Sequence, residues 1–231
     1  NGKIAGFAQC ADYPHYRNFD KLDITRFCEK DKANELKITV WHYGVNSQTY
    51  INADAFLLFD VIQSGKTVLK SDENVLSAIN EKYKNGYLKQ ISSQLGLSFL
   101  YDANVKDGKL DKSEVVGEGT AYERKRGICR MRPQNAKAVI TKQNGGYLVD
   151  LGKETVGFIS LDFKSDIAQK LTISYGERKG ENGNIPRLVG DRDFSVEYIA
   201  KKGENSYINT FRRLAGRYLF VECEKEIDIK Y

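Results

Sequence analysis

The residues of this 231-residue chain that are best suited to chemistry are carboxylic acids in its second half. Hydrolysis of a glycosidic bond needs one acid and one carboxylate held at a defined separation across the sugar. The sequence itself pairs no two of the candidates, which are Asp150, Asp162, Glu177, Asp191 and Asp193. Asp150 ends a predicted strand, where a carboxylate commonly accepts a backbone N–H bond in a turn. We therefore interpret Asp150 as structural and predict no catalytic residue.

A second candidate site is aromatic. In the stretch "ELKITVWHY" (35–43), apolar residues alternate along one face, and Trp41 and Tyr43 share the opposite one. An aromatic ring on an outer sheet face can stack on the apolar face of a sugar, and Asn46 and Tyr50 follow as hydrogen-bonding partners. These four residues form the predicted carbohydrate-binding surface. In the alternative interpretation, Trp41 packs under a loop or against a neighbouring domain.

The remaining motifs argue against several other functions. The four cysteines lie far apart without a C-x-x-C pair, and only two histidines occur, so we predict no metal site. No complete nucleotide-binding loop is present, and no cofactor is predicted. The net charge of +5 is scattered rather than arranged in a basic stripe, which disfavours nucleic acid as a partner. The sequence contains no run of eighteen apolar residues, so no membrane span is predicted.

The compartment stays open at this point, because no cysteine pairing can be derived from the sequence. We expect Cys223, in an apolar strand pattern, to be a buried thiol. The only methionine is Met131, and the turn-forming pair Asn1-Gly2 has no strand before it. We interpret the chain as an excised or processed piece that lacks upstream strands.

Period-two alternation of apolar residues dominates the chain and predicts β-strands. The stretch 55–62 is apolar on both faces, as in a central strand covered on both sides. Residues 71–83 predict a helical turn or two, and a soft boundary falls near 112–127. Short strands at regular spacing are typical of a sandwich or barrel. The predicted strands are 35–43, 55–62, 96–101, 137–141, 147–151, 156–163, 170–176, 193–200, 206–212 and 217–223.

Several phrases, in this order along the chain, resemble bacterial α-L-rhamnosidases of glycoside hydrolase family 78. The first half contributes "NGKIAG", "YRNFDKLDIT" (16–25), "NELKITVWHYG" (34–44) and the stretch 69–103, with its "SDE" and "YDA" phrases. The second half contributes "LVDLGKETVGFISLDF" (148–163), "ISYGERKGENGNI" (173–185) and "FRRLAGRYLFVE" (211–222).

This resemblance implies an all-β chain of two jelly-roll-like β-sandwich domains. Residues 1–118 would be the N-terminal rhamnosidase-type sandwich without its initial strands, and residues 119–231 the concanavalin-like domain. In this family the catalytic acids lie in a following (α/α)6 barrel, which is expected to be missing from this chain. The implied partners are rhamnose-containing glycans and that barrel of the same polypeptide, and a periplasmic or secreted parent is slightly favoured.

The predicted function is that of an accessory, carbohydrate-binding or structural fragment of an enzyme that hydrolyses terminal α-L-rhamnosides with inversion. Three alternatives remain open at this stage. The chain could be a free-standing carbohydrate-binding module, a structural spacer without a ligand, or an enzyme that is complete as it stands.

Overall fold

The computed structural model describes residues 1–8, 17–48, 51–52, 54–85, 91–92, 94, 96–117, 119–123, 138–181 and 183–230. The chain divides into two compact units. The first unit contains residues 1–46, 51–77 and 110–133, and the second contains residues 47–50, 78–109 and 134–231. Each unit is described by itself below.

The described residues form strands and one short 3-10 helix, Thr25–Phe27, so the predicted all-β class is confirmed. No helix within the described ranges is long and apolar enough to cross a membrane. In chain order the strands are β1 (Asn18–Phe19), β2 (Asp60–Gln63), β3 (Lys66–Lys70), β4 (Leu76–Ser77), β5 (Tyr83–Asn85), β6 (Phe99–Asp102), β7 (Asp111–Lys112), β8 (Tyr122–Glu123), β9 (Val139–Gln143), β10 (Gly146–Gly157), β11 (Ser160–Ser165), β12 (Gln169–Gly176), β13 (Leu188–Val189), β14 (Arg192–Asp193), β15 (Ser195–Ala200), β16 (Gly203–Ile208), β17 (Leu214–Glu222) and β18 (Ile227–Ile229).

The described residues of the first unit form three two-stranded ribbons, β1–β8, β2–β3 and β4–β7. Ser64 and Gly65 join β2 to β3 with φ values of 50° and 77°, the left-handed pair that a tight hairpin turn requires. None of the described residues of this unit is buried. Two-stranded ribbons cover no apolar face, so side chains that alternate along the sequence stay accessible.

Three sequence predictions for residues 35–83 are wrong. No strand forms over 35–43, and its alternating Leu36, Ile38 and Val40 are exposed. The stretch 55–62 is not a covered central strand, because only its end from Asp60 onward pairs, with β3. The predicted helical turns at 71–83 are absent, since β4 and the start of β5 occupy this segment.

The second unit is a sandwich of two unequal sheets. The large sheet has the order β5-β6-β15-β12-β17-β10-β9, and the small sheet has the order β16-β11-β18. One apolar core joins them, with Phe163 from the small sheet packed among residues such as Leu171 and Val196 from the large one. The strands predicted at 147–151, 170–176, 193–200 and 217–223 are confirmed by β10, β12, β15 and β17.

Two other predicted strands have different limits. The segment 156–163 is divided, because β10 ends at Gly157 and β11 begins at Ser160. β16 ends at Ile208 rather than continuing to residue 212. In the second case the chain turns at Asn209, whose Oδ1 accepts the backbone N–H of Arg212 (3.1 Å).

Strands β5 and β6 precede the rest of the large sheet by many residues, yet they complete its edge. β6 runs parallel to β15, with Leu100 opposite Glu197, and β5 pairs antiparallel to β6. Residues 78–109 thus lie in the second unit, although they precede the boundary predicted near 112–127. The division into two rhamnosidase-type sandwiches, 1–118 and 119–231, stays a prediction.

The two faces of the large sheet differ in chemistry. Leu171 and Ile173 of β12 point into the core, so Thr172 and Ser174 lie on the outer face. Glu197 of β15 and Glu222 of β17 both lie directly opposite Thr172. Side chains opposite one another in paired strands share a face, and the outer face therefore carries a polar row across three central strands.

Candidate functional site

A cleft of about 530 Å³ in the second unit is the strongest candidate site. We call it the tyrosine cleft, because Tyr101 of β6 and Tyr198 of β15 belong to its lining. Charged and polar groups surround these two rings. They include Lys82, Asp162, Lys201, Glu204, Asn205 and Lys230.

Aromatic packing fixes the floor of the cleft. Tyr101 and Tyr198 are partners in the parallel register, and their rings stack with centroids 5.5 Å apart at an interplanar angle of 4°. The rings of Tyr83 and Tyr101 pack edge to face with their centroids 4.8 Å apart, and the centroid of the Tyr207 ring lies 5.5 Å from that of Tyr101. Tyr101 itself is only half-buried. Burial raises its pKa, with Lys82 opposing the shift, so the phenol stays a hydrogen-bond donor at neutral pH.

A buried asparagine fixes the wall beside Tyr198. The hydroxyl of Tyr198 donates to Oδ1 of Asn205 (3.0 Å), and the same oxygen accepts the backbone N–H of Lys201 (3.0 Å). Asn205 Nδ2 donates to the carbonyl oxygens of Lys201 (2.8 Å) and Gly203 (2.9 Å). These bonds hold the β15–β16 turn, and with it the base of the Lys201 side chain, at the cleft.

Ion pairs occupy part of the rim. Lys82 Nζ lies 2.7 Å from Asp107 Oδ1, and this hydrogen bond raises the pKa of Lys82. Lys230 pairs with Glu204. The cleft therefore combines one partly accessible tyrosine ring with amide, ammonium and carboxylate groups that can form hydrogen bonds to a small polar ligand.

Of the sequence-predicted site residues, Trp41, Tyr43 and Asn46 lie in the first unit. Trp41 and Tyr43 do come together, with ring centroids 4.8 Å apart, but they meet edge to face at 75°. They therefore do not form one flat platform. Asn46 Oδ1 accepts the backbone N–H of Asn52 (2.7 Å), and Tyr50 lies outside the described residues. Sugar binding by these four residues stays a prediction.

Asp150 has the structural role expected from the sequence. Its carboxylate accepts two bonds from Arg217, at 2.8 and 2.9 Å, and one from the backbone N–H of Gly152, at 2.7 Å. These bonds, above all those from Arg217, lower the pKa of Asp150 to about 2. They tie β10 to β17 where the register between these strands shifts.

Asp193 is also engaged in structure. Arg187 donates to both of its oxygens from Nε and Nη2, at 2.8 to 3.1 Å, and Ser195 Oγ donates to Oδ1 at 2.6 Å. Burial raises the pKa of Asp193, but these bonds outweigh it and leave the pKa below its usual value. Glu177 and Asp191 are exposed. The described residues contain no group of three His, Cys, Asp or Glu side chains that could hold a metal ion.

The cysteine prediction holds only in part. Cys223, just after β17, is a free thiol that is half-buried rather than buried, and burial raises its pKa. Cys28 is a free, exposed thiol, and Cys10 and Cys129 lie outside the described residues.

Sequence reasoning missed the tyrosine cleft. Tyr101 is the last residue of the predicted strand 96–101. Its partners Tyr198 and Tyr207 lie about one hundred residues later. The parallel pairing of β6 with β15 brings Tyr101 beside Tyr198, and Tyr207 comes from β16 of the small sheet. No local pattern predicts that pairing.

Comparison with known proteins finds one family model that is similar to part of the second unit. Residues 140–228 match the family model described as the bacterial alpha-L-rhamnosidase concanavalin-like domain. A search among curated proteins finds no significant match.

Three solved structures share limited similarity with the chain. The rhamnosidase of family GH78 from Bacillus sp. GL1 has 20% identity and a TM-score of 0.32 over 45% of this chain and 12% of its own. The α-L-rhamnosidase of Streptomyces avermitilis, complexed with L-rhamnose, has 22% identity and a TM-score of 0.34 over 41% and 10%. The α-L-rhamnosidase of Dictyoglumus thermophilum has 16% identity and a TM-score of 0.39 over 55% and 17%.

The aligned part of this chain spans less than a fifth of the length of each of these rhamnosidases. The family match falls on β9 to β18, which supply most of the sandwich of the second unit. The resemblance to bacterial α-L-rhamnosidases is thereby confirmed, with residues 140–228 matching their concanavalin-like domain.

Proposed function

We propose that the chain is an accessory, non-catalytic part of an α-L-rhamnosidase-type protein and binds rhamnose-containing glycans in the tyrosine cleft. Two observations support this function. The family match covers most of the sandwich of the second unit. The cleft lies in that same unit, with Tyr198, Lys201 and Asn205 inside the matched range and Tyr101 on the strand paired beside it. The observation that carries the proposal is the half-buried ring of Tyr101 beneath a polar rim.

The size and chemistry of the cleft suit such a ligand. Its volume of about 530 Å³ lies within the range of about 300–1,000 Å³ that is common for small-ligand sites. Rhamnose carries a methyl group in place of a hydroxymethyl, so it offers more apolar surface to Tyr101 than mannose does. Its hydroxyls would bond to the rim, where Lys201 and Asp162 stand beside the paired Lys82 and Lys230.

The role of such binding would be tethering. A glycan held on an accessory domain stays at a high effective concentration for a catalytic domain of the same polypeptide. In this proposal, that domain is the (α/α)6 barrel of the rhamnosidase family, and the described carboxylates of this chain carry no hydrolysis. Trp41, Tyr43, Asn46 and Tyr50 remain a second proposed binding surface, and a spacer without a ligand is the structural alternative.

Calorimetric titration with L-rhamnose, L-mannose and a rhamnose-terminated disaccharide tests the proposal. We expect saturable binding that favours rhamnose over mannose. Removing one stacking ring should weaken it about three- to tenfold in Tyr101→Ala, since such contacts contribute about 0.5–1.5 kcal/mol. Lys201→Ala probes the exposed rim without disturbing the floor, and Tyr122→Ala, an exposed tyrosine in the first unit, is the control.

Two further readouts separate the alternatives. Trp41 is the only tryptophan, so a change of its fluorescence on titration would place the sugar at the first unit. Absence of heat with every sugar would favour the spacer. Turnover of an aryl α-L-rhamnoside by the purified chain would contradict the non-catalytic assignment.

A further inference from the structure

Ala103 carries the one fully apolar side chain among the described residues that line the tyrosine cleft. Tyr101 and Tyr198 also line it, but their rings carry hydroxyl groups, and Tyr198 is only 2% exposed. The apolar surface that a ligand can reach in the cleft therefore consists chiefly of the Tyr101 ring and the Ala103 methyl group.

We propose that Ala103 is the specificity-determining residue of the tyrosine cleft, and that the cleft selects 6-deoxyhexoses whose C6 methyl group packs on the Ala103 side chain. This inference rests on the proposed function and deepens it, because it names the class of sugar and the residue that recognises it. A 6-deoxyhexose such as rhamnose differs from the matching hexose in a single atom, the oxygen on C6.

Ala103 and Tyr101 lie on the same face of the chain. Side chains two residues apart in extended backbone point to the same side, and Ala103 follows directly after β6. Both side chains pack against the apolar core of the second unit, and both residues line the cleft. A sugar ring stacked on Tyr101 therefore has the methyl group of Ala103 beside it.

Hydrogen bonds fix the backbone around Ala103. Its N–H donates to the carbonyl oxygen of Ile199 at 2.9 Å, next to the paired strands β6 and β15. In the turn that follows, Asp102 Oδ1 accepts the backbone N–H of Asn104 at 2.9 Å, and Asn104 Nδ2 donates to the carbonyl oxygen of Ala200 at 3.3 Å. The methyl group is therefore held in place before a ligand arrives, which avoids an ordering cost on binding.

A fixed apolar contact distinguishes a methyl group from a hydroxymethyl group. Burying one methyl group strengthens binding about three- to fourfold. The 6-hydroxyl of mannose would instead lose hydrogen bonds to water and find no partner on the Ala103 side chain. Ala103 thus favours the 6-deoxy sugar both by the contact that rhamnose gains and by the desolvation that mannose suffers.

Calorimetric titration with L-rhamnose, L-mannose and L-lyxose tests the assignment, because the three sugars share their ring hydroxyls and differ at C6. L-Lyxose lacks C6, so the ratio of its Kd to that of rhamnose isolates the methyl contact. The wild-type chain should bind rhamnose about three- to fourfold more tightly than L-lyxose. In Ala103→Ser and Ala103→Gly the two sugars should bind about equally. Ser206→Ala, a change of similar size at an exposed lining residue, is the control and should keep the wild-type ratio.

Circular dichroism checks the folding of each variant. An intermolecular NOE between the rhamnose methyl protons and those of Ala103, expected in the saturated wild-type complex, provides a readout that does not depend on affinity. Equal binding of rhamnose and L-lyxose by the wild-type chain, a rhamnose preference that survives in both Ala103 variants, or absence of this NOE would overturn the proposal.

The same titrations distinguish a failure of this inference from a failure of the proposed function. Absence of heat with every sugar would refute the proposed function and the role of Ala103 with it. Saturable binding that is weakened in Tyr101→Ala but shows no preference at C6 would refute the role of Ala103 alone.

Discussion

The two units place similar sequence patterns in opposite environments. In the second unit, β11 alternates so that Leu161 and Phe163 are buried in the core. In the first unit, the equally regular Leu36, Ile38 and Val40 are exposed and belong to no strand. Alternating apolar and polar residues are thus compatible with a strand. Whether the strand forms depends on a second sheet that covers its apolar side chains.

Sheet size accounts for the difference. The large sheet assembles seven strands and packs against the three-stranded sheet, so inward residues of its central strands, such as Leu171 and Val196, are buried in a shared core. The two-stranded ribbons of the first unit have no such cover, and an isolated ribbon is marginal in water. We expect the stability of the chain to reside chiefly in the second unit.

Truncating one phenylalanine in each unit is the strongest test of this comparison. Phe163 is 0% exposed and Phe56 is 43% exposed. Phe163→Ala should cost about 3–5 kcal/mol of unfolding free energy, because it leaves a cavity in the core. Phe56→Ala should cost no more than about 1 kcal/mol, the scale of its contact with Arg17. Urea unfolding measures both, and similar costs would contradict the contrast between the units.

A pair of glycines tests how tightly the large sheet is packed. A Cβ on Gly146 would lie 2.1 Å from the carbonyl oxygen of Val221, whereas a Cβ on Gly157 meets nothing within 4 Å. Both residues belong to β10. Gly146→Ala should therefore destabilise the second unit by about 1–3 kcal/mol through forced separation of β10 and β17. Gly157→Ala should be close to neutral, and thermal unfolding distinguishes the two.

The Asp150–Arg217 pair predicts an acid-sensitive contribution in the second unit. The pKa of Asp150 is about 2 in the folded chain against an ordinary 3.8. The pair therefore contributes its full stabilisation to the folded state above pH 3.8, and this contribution disappears as the pH falls from 3.8 towards 2. In Asp150→Asn the melting temperature should fall less steeply across that window. Arg217→Gln should flatten the same slope, and an unchanged slope in both variants would show that the pair contributes nothing.

The weakest expected effect concerns the β13–β14 hairpin, where the Phe194 N–H donates to the Arg187 carbonyl at 2.8 Å. Arg187→Lys keeps the charge but loses the two-point fork on Asp193, because an ammonium group cannot reproduce planar guanidinium geometry. Hydrogen exchange of the Phe194 amide should become faster, with global stability changed by less than about 1 kcal/mol. An unaltered exchange rate would mean that the backbone bonds hold the hairpin alone.

Local patterns predicted the second unit well. Strands β10, β12, β15 and β17 follow from alternation, and the turn role of Asp150 follows from its place beside Gly152. The partner of Asp150 could not be predicted, since Arg217 lies sixty-seven residues later. The tyrosine cleft was missed for the same reason, because it depends on a parallel pairing between β6 and β15 that no local signal encodes. In the first unit, alternation was present without a covering layer, and the strand predictions there were wrong.

The most direct test of the account compares the tyrosine cleft with the aromatic pair of the first unit in one calorimetric titration. A rhamnose-terminated disaccharide is titrated into the wild-type chain, Tyr101→Ala and Tyr43→Ala, with folding of each variant verified. We expect binding that is weakened about three- to tenfold in Tyr101→Ala and unchanged in Tyr43→Ala. Binding that persists in Tyr101→Ala and is lost in Tyr43→Ala would contradict this expectation.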